Sequence, residues 1–367
     1  MNLYIYQNPD WPAFFWEDSQ ILRQLGEVRH LQGKLLGKME SLGFELQNEA
    51  LLNTLTMDVL KSTEIEGEFL NPGQVRSSLA RRLGLEIAGT VPSDRNVDGM
   101  VDMMLDATQN YSQILDEERL FGWHSALFPS GRSGLYKIQV GAWREDTTGP
   151  MQVVSGAIGR EKVHYQAPDS ETVPFEMERF IEWFNSELKI DEVIKSAVAH
   201  LWFVTIHPFD DGNGRVTRAL TDMLLARADK SKQRFYSMSA QIRLERKSYY
   251  DILEKTQKGD LNITDWLLWF LDCLLKALKS TETVLARVLT KADFWQKQKD
   301  TDLNVRQKLM LNKLLDGFEG KLTSSKWAKI TKTSTDTALR DIQDLQNKNI
   351  LKKDEAGGRS TNYELNF

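Results

Sequence analysis

The sequence predicts a mainly α-helical protein with one central β-hairpin and a C-terminal unit of three helices and a second hairpin. Three observations carry this. Apolar residues recur at helical spacing over most of the 367 residues. Two β-rich runs flank a glycine-bearing turn between Met151 and Ala167. A short helical pattern followed by Gly357-Gly358 between two β-type runs closes the chain.

The first helix is expected over Ile21 to Met39, with Leu22, Leu25, Val28, Leu31 and Leu35 as its apolar face, closed by Gly43. A second carries Leu51, Leu52, Leu55, Val59 and Leu60 and ends near Glu66-Gly67, where glycine suits a left-handed cap. Asn71-Pro72-Gly73 reads as a turn before a helix over Val75 to Leu83. Val91-Pro92-Ser93-Asp94 reads as a linker and N-cap, leading to a helix with Val97, Val101, Met104 and Leu105. Glu117 to Phe128 is another helix. After the hairpin, helical spacing returns over Glu178 to Leu188, Glu192 to Ile206, Val216 to Ala228, Lys247 to Gln257 and Thr264 to Leu289.

The tail holds a helix with Val305, Leu309 and Leu315, then Thr323 to Ile330 and Thr335 to Asn347. Ile350-Leu351-Lys352 and Asn362-Tyr363-Glu364-Leu365 form its terminal hairpin, which together spell a winged helix-turn-helix. The domain organisation expected is 1–90, 91–290 and 300–367.

Composition narrows the function. Hydrophobic residues make up 41% and charged residues 27%, with a net charge of -5, so no basic field draws the whole chain to nucleic acid or an acidic membrane. Residues 300–367 hold twelve Lys/Arg against ten Asp/Glu, which does not imply strong DNA binding. Lys326, Lys329, Lys332 and Arg340 could still form a phosphate-facing stripe; protein docking or dimerisation is the favoured use of the tail. Cys273 is the one cysteine, which excludes an intramolecular disulfide and fits a reducing, cytoplasmic setting. The N-terminus does not read as a signal peptide, and the greasiest run, Trp266 to Leu275, is too short to span a bilayer, so no membrane partner is expected.

Chemistry concentrates in His207-Pro208-Phe209-Asp210-Asp211-Gly212-Asn213-Gly214-Arg215-Val216-Thr217-Arg218. It lies between two helical patterns and so is a loop opening a helix. Gly212 and Gly214 let backbone approach a ligand, and the free N–H groups of a helix start attract anions. Arg215 and Arg218, three apart, share a helix face and repel unless an anion lies between them; a polyphosphate suits both forks. Asp211 offers a hard oxygen to Mg2+, and the unperturbed pKa of a histidine such as His207 lies near neutrality, which suits proton transfer. Singly, such a histidine, glycine turn or arginine pair is ordinary structure. Together within twelve residues they point to attack on a nucleotide phosphate.

The stretch His207 to Arg218 resembles in full the signature of Fic domain proteins, His-x-Phe-x-Asp/Glu-Gly-Asn-Gly-Arg-x-x-Arg, and the similarity extends over about 90 to 290. The Asn8-Pro9-Asp10-Trp11-Pro12 region and the tail resemble additions found in one bacterial subgroup. The resemblance implies transfer of AMP from ATP to a Tyr, Thr or Ser hydroxyl of a target protein, self-modification included. His207 would take the hydroxyl proton and Asp211 would bind Mg2+ across the α- and β-phosphates. Gly212, Asn213 and Gly214 would cradle phosphate oxygens, Arg215 and Arg218 would hold the β- and γ-phosphates, and Phe209 would anchor the loop. Residues 151–167 resemble the family's flap, which pairs with an extended target segment, with Val153 and Val154 as target contacts. Tyr249, Tyr250 and Gln257 fall where relatives line the nucleoside pocket.

Ser62-Thr63-Glu64-Ile65-Glu66-Gly67 fits the family's Ser/Thr-x-x-x-Glu-Gly/Asn inhibitory motif. It implies that Ser62, Glu66 and Gly67 form a brake in cis, with Glu66 gripping Arg218 through a bidentate ion pair. Relatives also use this glutamate to remove AMP, and many form dimers that influence inhibition. Removal of AMP, transfer of another nucleotide group, and a DNA-binding regulator with a sensor domain are the competing functions.

Overall fold

The computed structural model describes all residues except 1–3, 41, 88–89, 148, 157–159, 161, 188, 316–317, 319, 354–361 and 367, and the backbone alone of 45, 283–284, 286–289 and 292. Gly159, Leu188, Gly357 and Gly358, used in the sequence argument, lie outside the described residues. The chain divides into two compact units, Met1–Thr281 and Glu282–Phe367.

The protein is mainly α. The helices of the first unit begin with α1 (Asp18–Glu40), α2 (Phe44–Ile65), α3 (Pro72–Leu83), α4 (Arg95–Gln109) and α5 (Glu117–Leu127). A small hairpin, β1 (Arg132–Ser133) and β2 (Tyr136–Lys137), precedes a longer one, β3 (Gln152–Ser155) and β4 (Lys162–Gln166). Then follow α6 (Val173–Asn185), α7 (Glu192–Ile206), α8 (Asn213–Asp229), α9 (Met238–Leu244), α10 (Arg246–Gln257) and α11 (Thr264–Lys297), whose residues from 282 on belong to the second unit.

Helices α7 and α8 form the centre. Every residue from Val193 to Ile206 is buried, as are Arg215 to Ala226. A helix apolar on all sides has to be wrapped by others. Here α2, α4 and α5 supply part of the wrapping of α8, and α6 packs on α7. The short loop between the pair, 207–212, is therefore fixed at both ends by the best-packed part of the unit.

Several boundaries differ from the sequence reading, each for a local reason. Asn71-Pro72-Gly73 is not a separate turn: Asn71 caps α3 by accepting from the N–H groups of Gly73 and Gln74, and Pro72 takes the first helical position. Helix α6 likewise starts at Val173, with Pro174 in its first turn. Helix α8 starts at Asn213, three residues before Val216, so Gly214 and Arg215 are already helical. The buried stripe of α1 is Ile21, Val28, Gln32, Leu35 and Met39, whereas Leu22 is 68% exposed. One position of helix phase decides that difference.

The second unit holds α12 (Val305–Leu315), α13 (Ser324–Thr331), α14 (Thr335–Asn347) and an antiparallel hairpin, β5 (Leu351–Lys353) and β6 (Tyr363–Leu365). Its core gathers Met310, Leu311, Trp327, Ala338, Ile342 and Leu345. Val305 and Leu309, expected on the apolar face of α12, are exposed; Met310 and Leu311 face the core instead. Lys326, Lys329, Lys332 and Arg340 are all exposed. Among the described residues no helix is long and apolar enough to cross a membrane.

Candidate active site

His207 ends α7 in a left-handed conformation, φ 53° and ψ 57°. For a residue with a Cβ this conformation is costly, by about 1–2 kcal/mol. Its N–H donates to the carbonyl of Phe203 at 3.0 Å, and its Nδ1 lies 3.2 Å from the carbonyl of Val204. A carbonyl only accepts, so Nδ1 carries the hydrogen and Nε2 keeps its lone pair. Burial holds the imidazole pKa below its ordinary 6.5, so the ring is neutral at physiological pH.

The loop after it is braced from within. Phe209 is fully buried, and the His124 ring stacks on it at 4.2 Å. Asn213 Oδ1 accepts from the Phe209 N–H at 2.9 Å while Asn213 Nδ2 donates to the Phe209 carbonyl at 2.7 Å. The Asn213 side chain thus spends both ends on the loop, and what it offers a phosphate is backbone. His124 Nδ1 accepts from the Gly141 N–H at 3.2 Å, so its Nε2–H donates to the Asp211 carbonyl at 3.1 Å. Burial pushes the His124 pKa down to about 4. Asp211 accepts from Ser133 Oγ and from the Gly212 N–H, and its side chain remains 41% exposed.

Two glycines are required here. Gly212 takes φ +81°, and a Cβ on it would meet the Phe128 ring at 2.8 Å. A Cβ on Gly214 would lie 2.0 Å from Glu66 Oε1.

That contact brings in the end of α2. Glu66 Oε1 accepts from Arg218 Nη2 at 2.7 Å. Ser62 accepts twice from the same guanidinium, at Oγ from Nε (2.8 Å) and at its carbonyl from Nη2 (2.7 Å). The grip on Arg218 is therefore shared: Glu66 contributes one oxygen rather than the expected bidentate pair, because Ser62 already occupies the Nε edge. Gly67, at φ +86°, turns the chain away from α2. It delivers Glu68, whose Oε2 accepts from Arg215 Nη1 at 2.8 Å. Each arginine thus has its own carboxylate, and the mutual repulsion inferred from their spacing is relieved within the chain. Arg215 Nε and Arg218 Nη1 are buried donors without a partner among the described residues.

The residues matched to a nucleoside pocket divide. Tyr249 is buried behind Arg218, its hydroxyl 2.8 Å from His200 Nε2, and Gln257 is buried against Thr205 Oγ1 at 3.3 Å. Tyr250 is partly exposed, and its hydroxyl lies 3.5 Å from the Ile65 carbonyl, which also accepts from Arg246 Nε at 2.8 Å. In the β3–β4 hairpin, expected to be the flap, a bulge separates Val153 from Val154. Val153 packs inward on Tyr4, Tyr165 and Ala167, so of the two only Val154, 48% exposed, faces outward.

Sequence reasoning missed His124, Ser133, Glu68 and Arg144. His124, Ser133 and Arg144 reach the loop, and Glu68 the first turn of α8, from other segments, and no spacing rule links them to the site.

The Fic/DOC family matches residues 114–225, and residues 4–85 match a Domain of unknown function (DUF4172). Protein adenylyltransferase Fic of Drosophila willistoni is 38% identical over 104 residues, 28% of this chain and 19% of that protein. The chain thus matches about a fifth of the length of this curated relative. A Fic family protein from Desulfovibrio desulfuricans has a TM-score of 0.56 at 18% identity, covering 97% of this chain and 98% of that one. A Fic domain containing signaling protein from Bacteroides thetaiotaomicron has a TM-score of 0.51 at 20% identity, covering 74% and 98%. At these identities the likeness concerns the fold. The left-handed histidine, the braced loop and both arginines lie inside the matched segment: the chain carries a Fic/DOC family domain over residues 114–225.

Proposed function

We propose that this protein transfers AMP from ATP to a Tyr, Thr or Ser hydroxyl of a protein, and that Glu66 holds it in an inhibited state. The observation that carries the reading is the Glu66–Arg218 contact beside Gly214, a carboxylate seated on the guanidinium where a phosphate oxygen would sit. The two orphaned guanidinium donors support an anionic ligand in the same place.

In this reading the triphosphate lies along the N-terminus of α8, where first-turn N–H groups point at it. Arg215 and Arg218 exchange Glu68 and Glu66 for β- and γ-phosphate oxygens. The acceptor hydroxyl loses its proton to His207 Nε2 as its oxygen bonds to the α-phosphorus, and the bond to pyrophosphate breaks. The chain's contribution is alignment and charge stabilisation.

Asp211 fits Mg2+, which typically takes one or two carboxylates and completes its shell with phosphate and water. Its 41% exposed side chain is the acceptor the loop offers. Bound there, Mg2+ would neutralise charge on the phosphates. The target segment would lie along the flap, with Val154 as its contact.

Transfer of label from α-phosphate-labelled ATP, with Mg2+, tests this in wild type, Glu66→Gly and His207→Ala. Label on protein that rises with Glu66→Gly and vanishes with His207→Ala is expected. No label on any protein from the Glu66→Gly chain, in the presence of a cell extract as target source, would remove the reading. Removal of AMP is the second reading, since the Glu66 side chain is 30% exposed at the mouth of the site and could orient a water. Release of AMP from pre-labelled protein, lost in Glu66→Gly, would favour it.

A further inference from the structure

Arg144 is buried, and it meets the catalytic loop twice. Its backbone N–H donates to the Pro208 carbonyl at 2.9 Å, and its Nε donates to the His207 carbonyl at 2.8 Å. These two carbonyls have left the α7 ladder and would otherwise lack partners. A cation at this helix end also meets the negative pole of α7. The remaining guanidinium nitrogens turn the other way. Nη2 donates to the Pro168 carbonyl, two residues beyond β4, and Nη1 to Asp146. Asp146 in turn accepts from the Ser170 N–H at 2.8 Å. A second bond runs parallel, from the buried Tyr165 hydroxyl on β4 to the Thr205 carbonyl in the last turn of α7, at 2.6 Å.

We propose that Arg144 is a positioning residue that fixes the left-handed His207 and locks it to the base of the flap. This rests on the reading of His207 as the base. One rigid fork then sets both the base and the strand that presents the acceptor hydroxyl. Lysine has the charge but only a single rotating ammonium, which cannot bridge two carbonyls in a fixed plane. The phosphate cradle is held separately, by Asn213 on Phe209 and by His124 on Asp211. Loss of the fork should therefore misplace the base while leaving ATP binding intact.

The full-length chain labelled with 15N-histidine reports this without turnover, His207 being identified among five histidines by its loss in His207→Ala. Wild type should show His207 as the single tautomer protonated at Nδ1. Arg144→Lys should show a mixture of tautomers. In the Glu66→Gly background it should lower kcat about 100-fold, the cost of a small misplacement, with KM for ATP unchanged. Should Arg144→Lys fail to fold, Asp146→Asn loosens the far end of the fork and should move both readouts the same way by less. A His207 tautomer unchanged in the folded variant overturns the proposal, as does a KM that rises in step with the fall in kcat. A mixed tautomer in a chain that transfers no AMP would support the positioning role and count against the transfer reading.

Discussion

Glu68 Oε2 accepts a hydrogen bond from Arg215 Nη1 at 2.8 Å, two residues beyond the carboxylate that holds Arg218. The two contacts differ in strength. Arg218 is 2% exposed and Glu66 30%, and a charged hydrogen bond of that kind is worth about 1.5–3 kcal/mol. Glu68 is 49% exposed, and a pair so open to water contributes roughly 0–1 kcal/mol. Glu66→Gly should therefore raise AMP transfer by about 10- to 100-fold and Glu68→Ala by no more than about fivefold, taking 1.4 kcal/mol per tenfold. The rate of label transfer from ATP measures both. A larger gain from Glu68→Ala than from Glu66→Gly would reverse the assignment of the principal brake.

Gly214→Ala separates release of the proposed brake from loss of the proposed phosphate cradle. A Cβ at this position would lie 2.0 Å from Glu66 Oε1 and 3.1 Å from Arg218 Nη1. The carboxylate must leave, as it does in Glu66→Gly, but the methyl group then stands in the phosphate site. The variant should stay folded and inactive, with ATP affinity by calorimetry weaker than that of Glu66→Gly. Activation equal to that of Glu66→Gly would show that the phosphate does not approach Gly214.

Acid should destabilise the fold through histidines buried in the neutral state. The pKa of His124 falls to about 4 and that of His200 to about 3, burial being the main cause in both. A group whose folded pKa is depressed gives stability that is full above the unfolded value, 6.5, and is lost as pH falls toward the folded one. Melting temperature should therefore decline from pH 6.5 down to about 4 for the His124 part and about 3 for the His200 part. His124→Gln should melt lower at pH 7.5, because the stack on Phe209 and the bond to Asp211 are lost, yet show a shallower decline with acid. An equally steep decline in the variant would place the acid sensitivity elsewhere.

What was legible in the sequence was local. His207 to Arg218 is one contiguous run, so its histidine, glycines and arginines could be read together, and the long helices announced themselves by period. Glu66 was reachable across 152 residues only because its motif is itself contiguous. His124 lies 87 residues from the Asp211 carbonyl it holds, and Arg144 63 from His207; neither bears a local signal. Helix phase failed where adjacent apolar residues competed, as with Ile21 and Leu22, or Leu309 and Met310. Helix α9, at seven residues, is too short for periodicity to show.

Buried ionisable groups gather where α2, which ends beside Glu66, packs near α8. Arg234, fully buried, donates to Asp222 on α8 at 2.7 Å, and its Nη1 lies 3.8 Å from Asp229. Asp58 on α2 is buried beside them and accepts from Ser237. Burial, then the neighbouring Asp222, pushes the Asp58 pKa well above its ordinary 3.8. Removing the cation leaves carboxylates uncompensated, so Arg234→Met should cost about 3–5 kcal/mol. At roughly 2–4 °C per kcal/mol for a large domain, this is a melting shift of roughly 6–20 °C. Asp58→Asn should behave in the opposite sense. A raised folded pKa means stability that is present below the unfolded value and lost as pH rises, and asparagine does not ionise. Asp58→Asn should thus melt no lower than wild type at pH 8, since its carbonyl still accepts from Ser237. A drop in melting temperature as large as that of Arg234→Met would mean that the Asp58 charge itself holds α2 in place.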